Sequence, residues 1–411
     1  MTTKSALLEQ GHWLTVRDCK RVLIVAHTVT FAQRLREVFD LLAADLRLQL
    51  VFTAPPHAFG AGVTAFLEGL GITTVPWEDA LCTEFDLAVV AGSRGTHKLQ
   101  APVVRISHGA GHIKLMTDTS SLAPGEPRPP GMLSRRHLLH EGQVVPAAIV
   151  YGHARDVEEL ALFCPEALSV AEVVGDPCVD RITAGMTRRD HYRRALGIEP
   201  GERLLVVTST WGPTSTFGRL DALLPHLLGQ LPGPGYRVAM LLHPNVYAGH
   251  GTWQVRSWLA ACRGRGIAVV PPTADWQAPL IAADWIIGDH GSLTSYGTLT
   301  AAAILLTAGP RREVSASSPA AMLAAAAPVI SPGYELTGQL EYAARLHQPG
   351  QYAQVAALLS SVPGEFHQRM RSVLYRVLGL GEPACPPDVA PPPLPPPLRR
   401  WEIPADSGVP L

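Results

Sequence analysis

Several buried, strand-like runs of this chain end in side chains whose types can do chemistry. After VVRI comes SHGAGHIKL, in which Gly109 lies beside His108. A neutral imidazole can take a proton from a hydroxyl, because the ordinary pKa of histidine lies near neutrality. The segment predicts His108 as a catalytic base, with Gly109, His112 and Lys114 as acceptor or loop residues. A structural histidine in a tight turn is the alternative.

His108 and His112 are also four residues apart, which is a spacing that metal-binding pairs use. No glutamate stands between them and the neighbouring residues do not favour a helix. The six cysteines are far apart and form no zinc-type cluster with histidine. We therefore predict no metal site.

A second group of candidates follows strand-like runs in the other half of the chain. LLHPNVY presents His243 at the end of a strand, where it can donate to a phosphate oxygen or serve as a hydrogen-bonded core histidine. VVTSTWGP places Ser209 and Thr210 in a loop that can bind phosphates or form a packed turn between domains. These residues are candidate phosphate contacts.

The segment ADWIIGDHGSLTSYG carries the strongest signal for an anion. A buried strand ends at Asp289, and Gly291 and Ser292 then open a helix. The unpaired amides and the positive dipole end of such a helix attract anions, and Thr294 adds a hydroxyl. Simple helix capping is the alternative. We predict that Asp289, Gly291, Ser292 and Thr294 bind a diphosphate.

The elements that must position these residues alternate between apolar runs and segments of helical periodicity. This alternation is typical of βαβ units on a parallel sheet. The predicted fold class is α/β, with two Rossmann-like, doubly wound domains at residues 20–176 and 200–345 that face a central cleft. Open α/β sheets bind ligands at the carboxyl ends of their strands, where the candidate residues stand.

The end of the chain has a different composition. Residues 350–382 are predicted to form a C-terminal helical segment. Residues 383–411 contain eleven prolines in 29 positions. This composition is typical of an extended polyproline tail, which we expect to be disordered or to dock a partner.

Composition excludes several function classes. The chain has 411 residues, 47% of them apolar, with 34 basic against 35 acidic residues. Such a balance does not favour binding to nucleic acid. The start of the chain lacks an apolar signal-peptide core, and no apolar run is long enough to cross a membrane. We expect a cytoplasmic protein.

The order of the motifs is more informative than any one of them. SHGAGHIK, VVGDPCVD, VVTSTWGP, LHPN and ADWIIGDHGSLTSYGT, within roughly residues 100–310, together resemble the CDP-glycerol glycerophosphotransferase family, whose fold is of the GT-B class. The resemblance implies that His108 is the catalytic base and that His243, Asp289 and Ser292 contact the nucleotide diphosphate. It also implies a turn between domains, carried by Gly175, Pro177 and Asp180.

One feature departs from that family. Its paired serines correspond here to Gly291 and Ser292, which are closer to the Asp-Ser-Gly-Gly turn of non-hydrolysing UDP-N-acetylglucosamine 2-epimerases. The expected function is transfer of a polyol-phosphate or glycosyl group from a nucleotide-diphosphate donor to a small hydroxyl acceptor, without a cofactor. A sugar-nucleotide epimerase and a non-catalytic nucleotide-sugar-binding protein are the alternatives.

Overall fold

Two parallel β-sheets organise the chain, one in each of two units. Unit 1 comprises Met1–Pro177 and Ser360–Val389, and unit 2 comprises Cys178–Leu359 and Ala390–Leu411. The computed structural model describes residues 15–16, 18–116, 127–221, 229, 231, 235–309 and 312–401.

Unit 1 contains a seven-stranded parallel sheet and a small antiparallel hairpin. The strands are β1 Lys20–Val25, β2 Leu48–Thr53, β3 Thr74–Val75, β4 Leu87–Val90, β5 Val103–Ile106, β6 Leu139–His140, β7 Gln143–Val144, β8 Ala148–Tyr151 and β9 Ala171–Val173. The sheet has the order β3-β2-β1-β4-β5-β8-β9, and β6 pairs with β7. Its helices are α1 Val29–Phe39, α2 Val63–Glu68, α3 Trp77–Leu81, α4 Arg135–Leu138, α5 Ala154–Phe163 and α16 Phe366–Leu378.

The strands of unit 1 are buried on both faces, which explains their nearly continuous apolar runs. In β1, Val22 and Ile24 pack into the apolar cluster on one face, while Leu23 and Val25 pack into the cluster on the other. Side chains alternate between the faces of a strand, so a sheet covered on both sides requires apolar residues at every position.

Unit 2 contains a five-stranded parallel sheet. Its strands are β10 Arg203–Ser209, β11 Tyr236–Leu242, β12 Ala268–Val270, β13 Trp285–Gly288 and β14 Ala303–Leu306, in the order β12-β11-β10-β13-β14. The described helices are α6 Pro177–Gly185, α7 Arg189–Leu196, α8 Pro244–His250, α9 Thr252–Trp258, α10 Ala260–Gly264, α11 Gln277–Ala282, α12 Ser292–Gly297, α13 Pro319–Ala326, α14 Leu336–Leu346 and α15 Ala353–Ala357. Short 3₁₀ turns occupy Thr96–Lys98, Pro165–Val170, Met186–Arg188, Phe217–Arg219 and Leu398–Arg400.

The chain divides between Pro177 and Cys178, next to the end of the first predicted domain. Unit 2 begins at Cys178, so α7 belongs to the second unit although the second predicted domain begins at residue 200. Ion pairs join α7 to the second unit. Arg189 and Arg193 of α7 both pair with Asp284, each at 2.8 Å, just before β13.

The predicted helical segment 350–382 is divided between the two units. Helix α15 lies in unit 2, whereas residues 360–389 return to unit 1. There Phe366, Met370 and Leu374 of α16 join the apolar core. These residues recur at steps of four, so they form one face of the helix.

The proline-rich segment differs from the expected disordered tail over residues 383–401. Pro392 is buried, and its carbonyl accepts a 2.7 Å hydrogen bond from the Tyr192 hydroxyl of the same unit. Leu398 and Trp401 are also buried. This part of the segment therefore packs on its own chain, and residues 402–411 lie outside the described residues.

The proline- and glycine-rich stretch between residues 117 and 143 is partly described. Residues 127–143 include α4 and most of the β6–β7 hairpin, while residues 117–126 lie outside the described ranges. Over the residues that are described, no helix is long and apolar enough to span a lipid bilayer.

Candidate functional site

The candidate residues follow strands near the point where each sheet reverses its direction of growth. In unit 2 the reversal lies between β10 and β13, and in unit 1 between β1 and β4. Ligands of open α/β sheets bind at the carboxyl ends of the strands beside such a reversal. Thr210 follows β10 and Asp289 follows β13, whereas His108 follows β5, the neighbour of β4.

Unit 2 brings together candidates from three separate segments of the sequence. The His243 amide donates to the Ser209 carbonyl at 3.0 Å, which joins the ends of β11 and β10. The Thr210 amide donates to the Asp289 carboxylate at 3.0 and 3.2 Å, which joins the ends of β10 and β13. These residues therefore form one edge, which we call the unit 2 edge.

Asp289 organises the unit 2 edge. Besides the Thr210 amide, its two carboxylate oxygens accept from the Gly291 amide at 2.8 Å and the Thr216 amide at 2.7 Å. The side chain is only 5% exposed. Both carboxylate oxygens thus accept from amides of the protein, so the side chain holds the loops in position.

Two predicted donor contacts are enclosed by the protein. The hydroxyl of Thr294 is 2.9 Å from the hydroxyl of Thr208, and Thr294 is completely buried. The Ser209 hydroxyl accepts from the Phe217 amide and donates to the Thr210 carbonyl, each at 2.8 Å. In this arrangement both hydroxyls hold the framework of the edge, and their predicted contact with the donor stays a prediction.

Gly291 is required by packing within the protein. A Cβ atom at this position would lie 2.9 Å from Asp289 Oδ1 and 3.0 Å from the Thr210 Cβ atom. The adjacent Ser292 is half-buried and begins α12, and no side chain caps this helix. Gly291 thus lets the loop close, and Ser292 remains a candidate contact for the donor.

His243 is oriented by the helix that follows it. Its Nδ1 accepts a 3.0 Å hydrogen bond from the Asn245 amide at the start of α8. Because Nδ1 is the acceptor, the proton of the neutral ring lies on Nε2. The ring therefore carries its donor on Nε2, as contact with a phosphate oxygen requires.

In unit 1, His108 lies in a loop that depends on glycine. Gly109 and Gly111 have φ values of 79° and 70°, a conformation that side chains with a Cβ rarely adopt. The Phe31 ring packs against the imidazole, with 4.4 Å between the ring centroids. The two glycines let the chain turn tightly around His108 without a neighbouring side chain.

The two nitrogens of His108 have different roles. Nδ1 is buried without a hydrogen-bond partner. The ring also forms a hydrogen bond with the backbone of Ala91, and because Nδ1 has no partner, we assign this bond to Nε2. Burial, followed by the charges of Arg34 and Arg105, lowers the pKa of His108 to about 4. The imidazole is neutral at pH 7 and carries an unshared lone pair on Nδ1.

Arg34 holds the His108 loop in place, and nothing in the sequence pattern identifies it. Its Nη2 donates to the Gly109 carbonyl and to Asp176 Oδ2, each at 2.9 Å. The Arg34–Asp176 ion pair is buried on both sides. It joins α1 to the loop and to the Gly175 turn, where φ is 92°. Only the tertiary contact shows that Arg34 positions the candidate base.

The other residues of the His108 loop differ in surroundings. His112 Nε2 is buried without a partner, and the ring packs edge-on to Tyr151. Burial, then the charges of Arg105 and His108, lowers the pKa of His112 to about 3. The side chain of Lys114 is half-buried, and its carbonyl accepts from the Gly131 amide at 2.6 Å.

Sequence analysis missed two further residues beside this loop, Arg105 and Tyr151. An arginine inside the apolar run VVRI is the one signal that could have identified Arg105. Across the described part of the chain, no group of three or more His, Cys, Asp or Glu side chains is arranged to hold a metal ion.

Comparison with known proteins shows similarity in structure alone. No protein-family model matches the chain, and no curated protein matches it in sequence. The structure of the wall teichoic acid polymerase TagF, H444N variant, superimposes with a TM-score of 0.61 at 12% identity, over 89% of this chain and 90% of TagF. The S. aureus MnaA structure with UDP gives a TM-score of 0.54 at 13% identity, over 90% of this chain and all of MnaA.

A third structure supports the same fold. UDP-GlcNAc 2-epimerase from Methanocaldococcus jannaschii, in complex with UDP-GlcNAc and UDP, gives a TM-score of 0.51 at 12% identity, over 87% of this chain and 99% of the epimerase. The protein is therefore an α/β protein of the GT-B fold class, built from two Rossmann-like units. This confirms the fold that the sequence and the family resemblance predicted.

Proposed function

We propose that the protein is a transferase that moves a polyol-phosphate or glycosyl group from a nucleotide-diphosphate donor to an acceptor hydroxyl. His108 takes the proton of the acceptor hydroxyl, the acceptor oxygen bonds to the phosphorus or anomeric carbon of the donor, and the nucleotide leaves with the electron pair of the broken bond. The reaction needs no cofactor. The observation that carries the proposal is the state of His108, a neutral ring with one nitrogen fixed and the other unpartnered.

This state has the properties of a general base. The bond at Ala91 fixes the ring, as an orienting carboxylate or carbonyl does in other catalytic histidines. Nδ1 can therefore accept a proton from a hydroxyl within hydrogen-bond reach. The low pKa makes His108 a weak base in the ligand-free protein. An anionic ligand nearby would raise that pKa toward the range in which proton transfer is efficient.

The donor is placed at the unit 2 edge, with His243 Nε2 and Ser292 as contacts. A helix start without a side-chain cap and an imidazole donor suit a diphosphate, whose charge needs hydrogen-bond donors. The structures of similar fold include MnaA with UDP and TagF soaked with CDPG. Their ligands support a nucleotide donor and leave its base open.

The epimerase alternative requires acidic groups near the sugar. Asp289 accepts from three backbone amides, and Asp176 pairs with Arg34. Both carboxylates are already used by the protein, which favours transfer. Product analysis with a UDP-sugar and no acceptor distinguishes the two reactions, since only an epimerase would yield a new sugar nucleotide.

Donor binding is tested by thermal shift with CDP-glycerol, CMP, CTP, UDP-sugars and GDP-sugars. A true donor raises the melting temperature with dose, because it binds the native state. We expect the shift to be lost in Ser292→Glu, by charge repulsion, and reduced in His243→Ala. His250→Ala, at an exposed histidine that ends α8, is the matched control and should keep the shift. An unaltered shift in Ser292→Glu would reject the donor site.

The base is tested by turnover of His108→Ala. Loss of a general base lowers the rate by about 10²- to 10⁴-fold, while the shift caused by the donor should remain. His140→Ala, at an exposed histidine of the same unit, should keep full activity. Normal turnover in His108→Ala would reject the assignment, and donor binding without turnover by wild-type protein would favour a non-catalytic binding protein.

A further inference from the structure

Arg105 is a buried charge with no counter-ion in the part of the chain that the structure describes. Only 3% of the residue is exposed, and its Nη1 donates to the His137 carbonyl at 2.7 Å. Its Nη2 is buried and has no hydrogen-bond partner. Among the residues that the structure describes, no carboxylate forms an ion pair with it, although Arg34 of the same unit pairs with Asp176.

Other unpartnered polar atoms lie in the same part of unit 1. Arg105 stands opposite Ile149 in the parallel register of β5 and β8, so its side chain shares a face of the sheet with Tyr151, two residues further along β8. The Tyr151 hydroxyl and His112 Nε2 are both buried without a partner. The rings of Tyr151 and His112 are 5.7 Å apart, in an edge-on arrangement.

The charge of Arg105 acts on the whole group. It contributes, after burial, to the lowered pKa values of His108 and His112. Burial lowers the pKa of Arg105 itself to about 10, so the guanidinium remains charged at pH 7. His108, His112 and Tyr151 are uncharged at pH 7, so they do not neutralise the charge of Arg105.

An uncompensated buried charge and several unpartnered donors are both strongly unfavourable in a folded protein. A group of them in one region of the fold therefore points to a ligand that satisfies them. A guanidinium and a phenol hydroxyl match the oxygens of a phosphate or carboxylate, because guanidinium binds both bidentately. The His112 ring adds a third donor in the tautomer that carries its proton on Nε2.

We propose that unit 1 contains an oxyanion-binding site formed by Arg105, Tyr151 and His112, which takes a phosphate or carboxylate group. The site follows β5 and lies in the same loop region as His108. Where the proposed transferase function holds, on which this second part rests, the oxyanion belongs to the acceptor. The acceptor is then a hydroxyl compound that carries a negatively charged group, and His108 acts on its hydroxyl.

Binding is measured by calorimetry with inorganic phosphate and, separately, acetate at pH 7 and low ionic strength. Wild-type protein should bind at least one of them, and Arg105→Met should lose that binding. Tyr151→Phe, which removes one hydroxyl, should weaken it about tenfold. Arg21→Met is the matched control, because Arg21 also has a buried unpartnered Nη2 but lies at the amino end of β1.

The melting temperature of Arg105→Met separates ligand binding from a structural role. Removal of an unpaired buried charge should leave the anion-free protein as stable as the wild type or more so, and should abolish the stabilisation by phosphate or acetate. If Arg105→Met is strongly destabilised and still gains stability from the anion, the proposal is overturned. Loss of phosphate binding in Ser292→Glu with retention in Arg105→Met would place the anion in unit 2 and also overturn it.

Histidine titration by NMR gives a readout that is independent of activity. A bound anion stabilises the charged form of a nearby imidazole, so the pKa values of His108 and His112 should rise on addition of phosphate or acetate. Unchanged values under saturating anion would contradict the site. Failure of the transferase proposal would appear separately, as absence of donor binding or of turnover, and would leave the anion result standing.

The acceptor assignment is tested last, once a donor is known. Turnover is compared for glycerol and glycerol 1-phosphate, each with wild type and Arg105→Met. The phosphorylated compound should be used far better by the wild type, and the preference should vanish in the variant. Equal use of both acceptors by the wild type would reject the anionic acceptor.

Discussion

Polar side chains near the carboxyl ends of the two sheets differ in their hydrogen-bond partners. At the unit 2 edge, Asp289 accepts from three amides, and Thr294 pairs with Thr208. In unit 1, Nη2 of Arg105 and Nδ1 of His108 are buried without partners. The Asp289 carboxylate and the Thr294 hydroxyl thus have partners within the protein, whereas these two nitrogens of unit 1 have none.

This difference indicates different parts in function. A satisfied network is rigid and presents a prearranged surface, as at the unit 2 edge. Unpartnered buried groups destabilise a fold unless a ligand binds them, so they concentrate where ligands act. On the transferase proposal, the hydrogen-bonded framework of unit 2 holds the donor, and the unpartnered groups of unit 1 act on the acceptor.

The largest effect on stability is expected at the Arg34–Asp176 pair. Unlike Arg105 and His108, these two side chains of unit 1 are fully partnered, so they test the contrast within one unit. Arg34→Met should lower the free energy of unfolding by about 3 to 5 kcal/mol, because it leaves a buried carboxylate and the Gly109 carbonyl without their partner. Urea denaturation measures the change. Arg36→Met, an exposed position on the same helix, should change it by less than about 0.5 kcal/mol. Equal effects of the two substitutions would mean that the Arg34–Asp176 pair contributes nothing to the free energy of unfolding.

A smaller effect is expected at the unit 2 edge. Asp289→Asn replaces an acceptor oxygen with a donor that faces amides, so we expect a loss of about 2 to 3 kcal/mol. Exposed Asp190 gives the control Asp190→Asn, for which little change is expected. If Asp289→Asn kept full stability but lost donor binding, Asp289 would be a ligand contact, and the contrast between the two edges would fail.

The smallest effect concerns pH and tests unit 1. The folded-state pKa of His112, about 3, lies below its ordinary value of 6.5, so the unfolded chain binds a proton that the folded protein excludes. Stability from this group is present above pH 6.5 and falls as the pH is lowered toward 3. Its share of the loss between pH 7 and 5 should be about 1 to 2 kcal/mol.

That share is isolated by substitution. His112→Asn should show a shallower fall of the unfolding free energy between pH 7 and 5 than wild type, whereas exposed His140→Asn should keep the wild-type slope. Asp156 acts in the opposite direction, because burial raises its pKa to about 7 and its protonation favours the folded state. Identical slopes in His112→Asn and wild type would show that His112 does not titrate as its burial requires.

Much of the architecture could be predicted from local patterns. The run RVLIVAH predicts a buried strand, and β1 spans Lys20–Val25. The apolar spacing from Phe31 predicts a helix, and α1 spans Val29–Phe39. Both follow from periodicity within a few residues. The candidate residues at strand ends could be found for the same reason, since a parallel sheet gathers the carboxyl ends of its strands at one edge.

Long-range partners could not be predicted in this way. Residues 360–389 return to unit 1 across most of the sequence, and the proline-rich segment packs through Pro392 on Tyr192. Composition alone favoured disorder for that segment. Neither contact leaves a periodic signal, because each depends on surfaces built by distant parts of the chain.

The sequence by itself determined two α/β units whose strands are followed by polar residues that can bind ligands or transfer protons. This was possible because strand and turn preferences act over a few residues. Tertiary structure decided which polar side-chain atoms have hydrogen-bond partners within the protein. It enclosed Asp289 and Thr294 within protein hydrogen bonds and left Arg105, His108 and His112 with unpartnered atoms. Availability depends on burial and on partners brought from distant segments, and only the folded chain brings those together.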